Sequence, residues 1–446
     1  VSARALSLGR PAKPRKRSRA ASPPAEYNLL LTATLCLLAL GAVMVFSASS
    51  TTQILSNGNL ADSAFYLKRT LLFGAFGLLV MHLTARHGLA LVRRLTPALL
   101  VASLFLLLAV LGVGTSVNGA SRWIGSGSLQ IQPSELAKVA LILYGADMLA
   151  RKPKMARTLH GLMPYLLVVA VACLLIVVEP DMGTAMVVAF SVGTMLVAAG
   201  ARPGDLGKVA LVLGVLALLV TVVEPYRMAR LTGFLHPGTD ATGTGFQAAQ
   251  AKIALGSGGF FGVGIGNGTA KAGFLPEAHT DMISAVIGEE LGMLGIFGVV
   301  GLFGMLGYAG LRVAQKAKDR YGKLLVAGLT SLILVQATIN LFAVMGLAPL
   351  TGVPLPFVSY GNSSLLASLF AVGLILNVAR GGRAAAAARP ARASGAGKLR
   401  VVEGGRSPAR KRSRSSSGKS AQSRGGGGGN RRTRRAGDGR RRRASG

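Results

Sequence analysis

Ten apolar stretches, each near the length that crosses a bilayer, recur along this chain at 28–48, 70–85, 97–114, 134–150, 162–178, 182–200, 207–223, 282–310, 324–346 and 363–380. A spanning helix needs about 20 mostly apolar residues. In lipid, each backbone N–H and C=O must find its partner inside the protein, which a continuous helix provides. The expected fold is therefore an all-α polytopic membrane protein of about ten transmembrane helices. The seventh stretch is the weakest, because its apolar part, 209–223, is short enough to re-enter instead of spanning. The first follows a basic arm of 26 residues and is too long for the core of a cleaved signal, so it reads as an uncleaved helix.

Charge divides the chain in three. Residues 1–26 hold seven of the 50 Lys and Arg, and residues 380–446 hold 21, against three acids in the two segments together. The formal net charge of +34 invites a nucleic-acid reading. That reading fails for 27–379, which is lipid-like, so no nucleic acid is expected as a partner. The tails are rich in Arg, Ser, Gly and Ala and cannot bury enough apolar surface to fold alone. They read as disordered segments drawn to anionic headgroups, or as docks for a cytoplasmic partner. The expected organisation is a basic arm 1–26, a ten-helix domain 27–380 and a basic tail 381–446.

Sidedness follows from the positive-inside rule. With the N-terminus inside, the inner loops carry Arg86, Arg93, Arg94, Arg151, Lys152, Lys154, Arg157, Arg202, Lys208 and the cations from Arg312 to Lys323. The outer loops carry only Lys68, Arg69 and Arg122 before the long segment 224–280. This bias requires an even number of spans and puts both termini in the cytoplasm. It also places the 57 residues of 224–280 outside, between the seventh and eighth spans. Loops longer than about 12–15 residues are usually functional or disordered. This one mixes Phe246, Phe260, Phe261 and Phe274 with many glycines, and is expected to be ordered and to lie against the membrane.

Several chemistries are missing from the sequence. It has no phosphate-binding P-loop and no H-E-x-x-H zinc motif. The glycines at 262, 264, 266 and 268 follow no strand of a βαβ unit, so flexible turns are their expected meaning. Cys36 and Cys173 lie singly in apolar runs, and the five histidines are scattered.

Ionisable residues in or near lipid are costly and so informative. Glu135 and Lys138 stand three apart on one helix face, either as a structural pair or as the wall of a polar cavity. Glu179 and Asp181 flank Pro180 in a tight turn, read as solvated, with Asp181 at the N-terminus of the sixth helix. Asp281 opens the eighth helix and could cap it, but Thr280 could cap equally well. Glu289 and Glu290 follow with no basic residue through Gly310, and need partners from elsewhere. Arg227 and Arg230, also three apart, would point the same way in a helix and could clamp a phosphate.

These residues lie in segments that match a known family. They include Asn118-Gly-Ala-Ser-Arg-Trp-Ile124, Gln132-Pro-Ser-Glu-Leu-Ala-Lys138, Glu179-Pro-Asp-Met-Gly-Thr184, Tyr226-Arg-Met-Ala-Arg230, Gly245-Phe-Gln-Ala-Ala-Gln250 and Ala254-Leu-Gly-Ser-Gly-Gly259. The most specific are Leu275-Pro-Glu-Ala-His-Thr-Asp281 and Pro354-Leu-Pro-Phe-Val-Ser-Tyr-Gly361. Over about 28–380 the chain resembles the SEDS proteins of the FtsW, RodA and SpoVE type, and FtsW more than RodA. It departs at Ser121, where the family usually has Arg, and at Asn362, where it usually has Gly.

The resemblance implies an inverting glycosyltransferase that polymerises lipid II outside the cytoplasmic membrane, at the division septum for the FtsW type. It implies Asp281 as the catalytic carboxylate. Arg227, Arg230, Arg122 and Lys252 would contact the pyrophosphate. His279, Glu277, Glu135, Lys138 and Ser363 would line the substrate path. It leaves open whether a divalent cation, Mg or Mn, assists. Expected partners are lipid II, a class B penicillin-binding protein transpeptidase, other division proteins of the membrane, and membrane lipids. The competing readings are a lipid II flippase, a non-catalytic scaffold for the transpeptidase, and a RodA-type elongation polymerase.

Overall fold

The computed structural model describes residues 24–57, 64–117, 120–125, 130–235, 244–272 and 275–381. The expectations for the basic arm and tail lie outside these residues. The long helices are α1 (Ala25–Asn57), α2 (Phe65–Leu83), α3 (Leu89–Val113), α4 (Pro133–Arg151), α5 (Leu159–Val178), α6 (Met182–Ala199) and α7 (Pro203–Val223). After two shorter helices, α8 (Pro225–Leu235) and α9 (Thr244–Ser257), come α10 (Ile283–Lys316), α11 (Arg320–Val344) and α12 (Asn362–Ala379). Among the described residues, nine helices are long and apolar enough to cross a membrane. They coincide with nine of the ten expected stretches.

The tenth stretch is α4, which carries Glu135, Lys138, Asp147 and Arg151 and so falls short on hydropathy. It can carry them because it sits inside the bundle, packed on α3, α5, α6, α11 and α12. Its charges are answered within the protein. Lys138 Nζ lies 2.9 Å from Glu135 Oε1 and 2.8 Å from Gln336 Oε1. Arg93 and Arg151 bind the two oxygens of Asp147 at 2.7 and 2.8 Å. The opposite case is α7, which buries no residue. It starts at Pro203, because Pro suits the first helical position, and its 21 residues rise about 30 Å. That length suits a span and removes the re-entrant alternative drawn from 209–223.

Other boundaries shift. α2 begins at Phe65, so Lys68 and Arg69 lie in its first turns and not in the preceding loop. α10 is kinked at Gly292, whose φ of 64° is not helical. The all-α expectation needs one addition, a small antiparallel hairpin of β1 (Thr115–Val117) and β2 (Ala120–Trp123) between α3 and α4. The long loop is ordered in its described part: it holds α8 and α9, and α9 packs on α8, α10 and α11.

Polar contacts sort to two ends of the bundle. One end gathers Arg93 with Asp147, Lys316 with Glu26, and Arg380 with Tyr27. The other gathers the α5–α6 turn, α8, the segment before α10 and the loop before α12.

The Glu135–Lys138 pair is almost wholly buried. Removing one partner of such a pair typically costs about 3–5 kcal/mol, whereas replacing both with apolar groups is often neutral. Lys138→Met should therefore lower the thermal unfolding midpoint of the membrane-inserted protein. Lys138→Met combined with Glu135→Met should recover most of the loss, as read by a melting scan.

Candidate functional site

Asp281 stands at the end of the loop before α10. The N-cap of that helix is Met282, so Asp281 does not cap it. Its backbone is held instead: Asn340 Nδ2 donates to Asp281 O and to Val353 O, both at 2.8 Å. Ser284 Oγ donates to Asn340 Oδ1 at 2.6 Å and fixes the amide. One turn of chain earlier, Tyr360 N donates to His279 O at 2.9 Å. Thus α11 and the loop before α12 grip the segment by its backbone and leave the carboxylate for other work.

The Asp281 carboxylate is half-buried. The Thr280 hydroxyl lies 3.3 Å from its Oδ1, and 3.0 Å from Glu277 Oε2. A Cβ placed on Gly352 would sit 3.8 Å from Asp281 Oδ2 and 3.9 Å from Arg230 Nη1, so the acid and the guanidinium flank the same glycine. Burial, then the nearby Glu277 charge, push Asp281 up from 3.8 to about 6, with Arg230 pulling the other way. Such a carboxylate is a base near neutral pH and a stronger one than ordinary aspartate. Glu277 itself is exposed and sits at a left-handed φ of 55°.

The arginine pair does not converge. Arg230 Nη1 donates to Leu350 O at 3.0 Å and faces a cleft that also takes Lys252, with Phe234, Ala248, Ala343 and Leu350 around them. Arg227 turns away and donates to Val177 O at the end of α5, 2.7 Å off. Arg122 donates to Glu179 O and Pro180 O in the same α5–α6 turn. The spacing of three put Arg227 and Arg230 near one face, but one of them is consumed in docking α8.

The other candidates fall into two groups. His279 stacks against Tyr66 at 4.4 Å and Tyr360 at 5.6 Å, beside Asp281. Burial holds its pKa below the usual histidine value. Ser363 accepts from Gln132 N at 3.0 Å, and Gln132 Nε2 donates to Asp181 Oδ2 at 3.2 Å. Glu135 and Lys138 stand apart, lining a pocket with Leu332, Gln336, Ala367 and Ser368 inside the bundle.

The α5–α6 turn is not solvated as expected: Glu179 and Asp181 are 1% and 5% exposed. Asp181 caps α6 by accepting from Thr184 N at 3.1 Å. Neither Glu179 oxygen has a hydrogen-bond partner among the described residues, and burial with the Asp181 charge raises its pKa to about 8. Sequence reasoning also missed Asn340 and Tyr66. A usable signal existed for Asn340: with Gln336 it forms an amide pair four apart on an otherwise apolar helix.

Among the described residues, no three His, Cys, Asp or Glu gather to hold a metal ion. Mg²⁺ is commonly held by one or two carboxylates plus substrate phosphates. Asp281 and Glu277, both reached by the Thr280 hydroxyl, fit that lesser role.

Comparison with known proteins gives a consistent picture. The family model of FtsW, RodA and SpoVE, described as cell cycle protein, matches residues 27–384. A probable peptidoglycan glycosyltransferase FtsW of Trichlorobacter lovleyi is 43% identical over 361 residues, 80% of this chain and 94% of that one. Stage V sporulation protein E of Bacillus subtilis is 41% identical over 358 residues, 79% and 96% of the two chains. Among solved structures, a chain from a peptidoglycan synthase complex that coordinates polymerization and crosslinking has TM-score 0.65 at 30% identity, covering 81% of this chain and 98% of its own. The rod shape determining protein RodA of Thermus thermophilus has TM-score 0.59 at 28% identity, covering 81% and 97%.

Two titrations follow from the site. Glu277→Gln removes a like charge and should move the Asp281 pKa from about 6 back toward 3.8, as read from the carboxyl infrared band of labelled aspartate. Glu179 has a folded pKa above its unfolded one, so its stabilising contribution is complete below about 4.5 and is lost as pH rises through about 8. Glu179→Gln should therefore match the wild-type melting midpoint near pH 4.5 and exceed it increasingly toward pH 8.

Proposed function

This chain belongs to the FtsW, RodA and SpoVE family of cell cycle proteins, and from that premise we propose that it is a peptidoglycan glycosyltransferase that polymerises lipid II at the division septum. The observation that carries the reading is Asp281: a half-buried carboxylate with pKa raised to about 6, opposite Arg230 and beside a cleft that holds a second cation. The septal assignment is supported by the family's description as cell cycle protein and by the FtsW name of similar chains.

The orientation supports the same reading. The positive charge of the loops at the other end supports an Asp281 end that lies outside the cytoplasmic membrane, away from nucleotide donors. A donor used there must arrive already activated, as a polyprenyl pyrophosphate does. In the proposed step, Asp281 accepts the proton of the 4-hydroxyl of the acceptor sugar. The acceptor oxygen bonds to C1 of the donor sugar from the face opposite the leaving group. The C1–O bond breaks, and its electron pair leaves with the pyrophosphate. A positioned base of this kind contributes about 10²–10⁴-fold. Charge growing on the pyrophosphate is met by Arg230 and Lys252 in their cleft, whose apolar side, Phe234 and Leu350, suits the first isoprene units. Arg227 and Arg122 hold the α5–α6 turn and act at one remove. A divalent cation bound to the pyrophosphate would be held by Asp281 and Glu277, supplying further charge neutralisation.

A transport reading draws on the pocket of Glu135, Lys138 and Gln336 inside the bundle, since polar cavities at membrane depth often mark substrate paths. A transpeptidase partner is supported by the similar chain from a peptidoglycan synthase complex. Purified full-length protein, alone and with its class B transpeptidase, is given labelled lipid II in liposomes. Polymer on a gel is the expected outcome, lost by at least 10²-fold in Asp281→Asn at unchanged membrane insertion. Label crossing the bilayer without polymer would establish the transporter, and wild-type polymer from Asp281→Asn would remove the base.

A further inference from the structure

Glu289 and Glu290 have no role in the chemistry above, yet both are buried in α10. Their partners come from the loop that precedes Asp281. Glu290 Oε1 lies 2.6 Å from Lys271 Nζ, and the Ser47 hydroxyl of α1 lies 2.7 Å from both Glu290 oxygens. Lys271 Nζ also donates to Ser47 Oγ at 2.9 Å and to Gly266 O at 2.8 Å. Glu289 Oε1 accepts from Thr269 N at 2.7 Å and from Ala270 N at 3.1 Å.

The backbone adds a second set of ties. Val263 N donates to Glu289 O and Gly264 N to Glu290 O, both at 3.0 Å, while Met293 N donates to Gly259 O at 3.0 Å. The kink at Gly292 frees these groups, and Gly262 allows the approach: a Cβ there would fall 2.2 Å from Glu290 O. The glycine string is thus a fixed ribbon on α10 and not a flexible turn.

Lys271 and Glu290 stand 19 positions apart, and Asp281 lies between them, ten residues after the lysine and nine before the glutamate. The pair therefore closes a ring of chain with Asp281 near its middle. A buried ion pair is a weak source of stability, but its best-attested use is to fix register. The pair is net neutral and begins about 10 Å down the helix from Asp281, so it acts on that residue by geometry and not by field.

We propose that Lys271 and Glu290 are positioning residues for Asp281, fixing the register in which residues 258–272, just before it in sequence, lie on α10. The proposal rests on the reading of Asp281 as the base. Without the pair the ribbon can slip on α10, and a displacement of 1 Å at reacting atoms costs about 10²-fold.

The test uses full-length protein in lipid vesicles with labelled lipid II. Lys271→Met alone should melt earlier and lose activity. Lys271→Met with Glu290→Met should regain the wild-type melting midpoint, yet keep kcat about 10²-fold down with KM within about twofold. A stable double variant with wild-type kcat would overturn the proposal. If the double variant does not insert, Glu290→Asp decides, because it keeps both charges and shortens the tie by one methylene. Reduced kcat at an unchanged melting midpoint supports positioning, and wild-type kcat refutes it. Asp281→Asn, run in parallel, separates the two readings: its activity judges the base, and the Lys271 and Glu290 variants judge the positioning.

Discussion

Inside lipid no water is available to answer a polar group, so each one must be met by another part of the chain. The structure uses that demand to join helices that are far apart in sequence. Ser47 of α1 meets Glu290 of α10, Lys138 of α4 meets Gln336 of α11, and Asn377 of α12 meets the carbonyls of Thr84 and Ala85 after α2. Apolar packing does not specify neighbours this sharply, because lipid tails are as apolar as leucine. The polar ties select which helices touch and in what register. α7 buries nothing, and its side-chain tie to the bundle is a weak one, Thr221 Oγ1 to Met182 Sδ of α6 at 3.6 Å.

The site inherits its geometry from those ties. Asn340 is the clearest case: its amide spans Ser284, Asp281 O and Val353 O, so three segments meet at one side chain. The grip is on the backbone, and Asp281 keeps its carboxylate oxygens out of the structural network. Its Oδ1 lies 3.3 Å from the hydroxyl of Thr280, the residue beside it in sequence. A residue meant to cap a helix would look different, and Asp181 shows how: buried, with Oδ1 on Thr184 N.

Much of this was legible from the sequence, and the limits have physical causes. Length and hydropathy located the ten long helices, because apolar runs of that size have few other uses. They blurred α7 at its start, where Pro203 and Gly204 look like breakers but Pro opens the helix. The motif wording brought Asp281, Glu277, His279 and Arg230 to one place. It could not show that Arg227 is spent on Val177 O, because spacing gives a face and not a partner. The glycines at 262–268 read as loose because their restraints lie far along the chain: Val263 N donates to Glu289 O and Gly264 N to Glu290 O, each 26 positions away. Glu179 and Asp181 read as solvated because a Pro turn between two spans normally is. Their burial comes from the neighbouring Arg122 hairpin and the loop before α12, neither of which the local sequence announces.

Arg230 links the two halves of the proposed step. With the cleft open, part of its charge falls on Asp281 and holds that carboxyl below where burial and Glu277 would place it. The same guanidinium lines the cleft with Lys252. A pyrophosphate entering there carries more negative charge than any carboxylate nearby and would claim Arg230 through charge-assisted hydrogen bonds. Asp281 would then lose its one stabilising cation and face a new anion, and both changes raise its pKa. Under the proposed function, donor binding thus strengthens the base. The rise is useful only while Asp281 stays ionised at the working pH. The exposed Glu277 sets that limit from the other side, and Lys252 limits the rise by sharing the pyrophosphate charge.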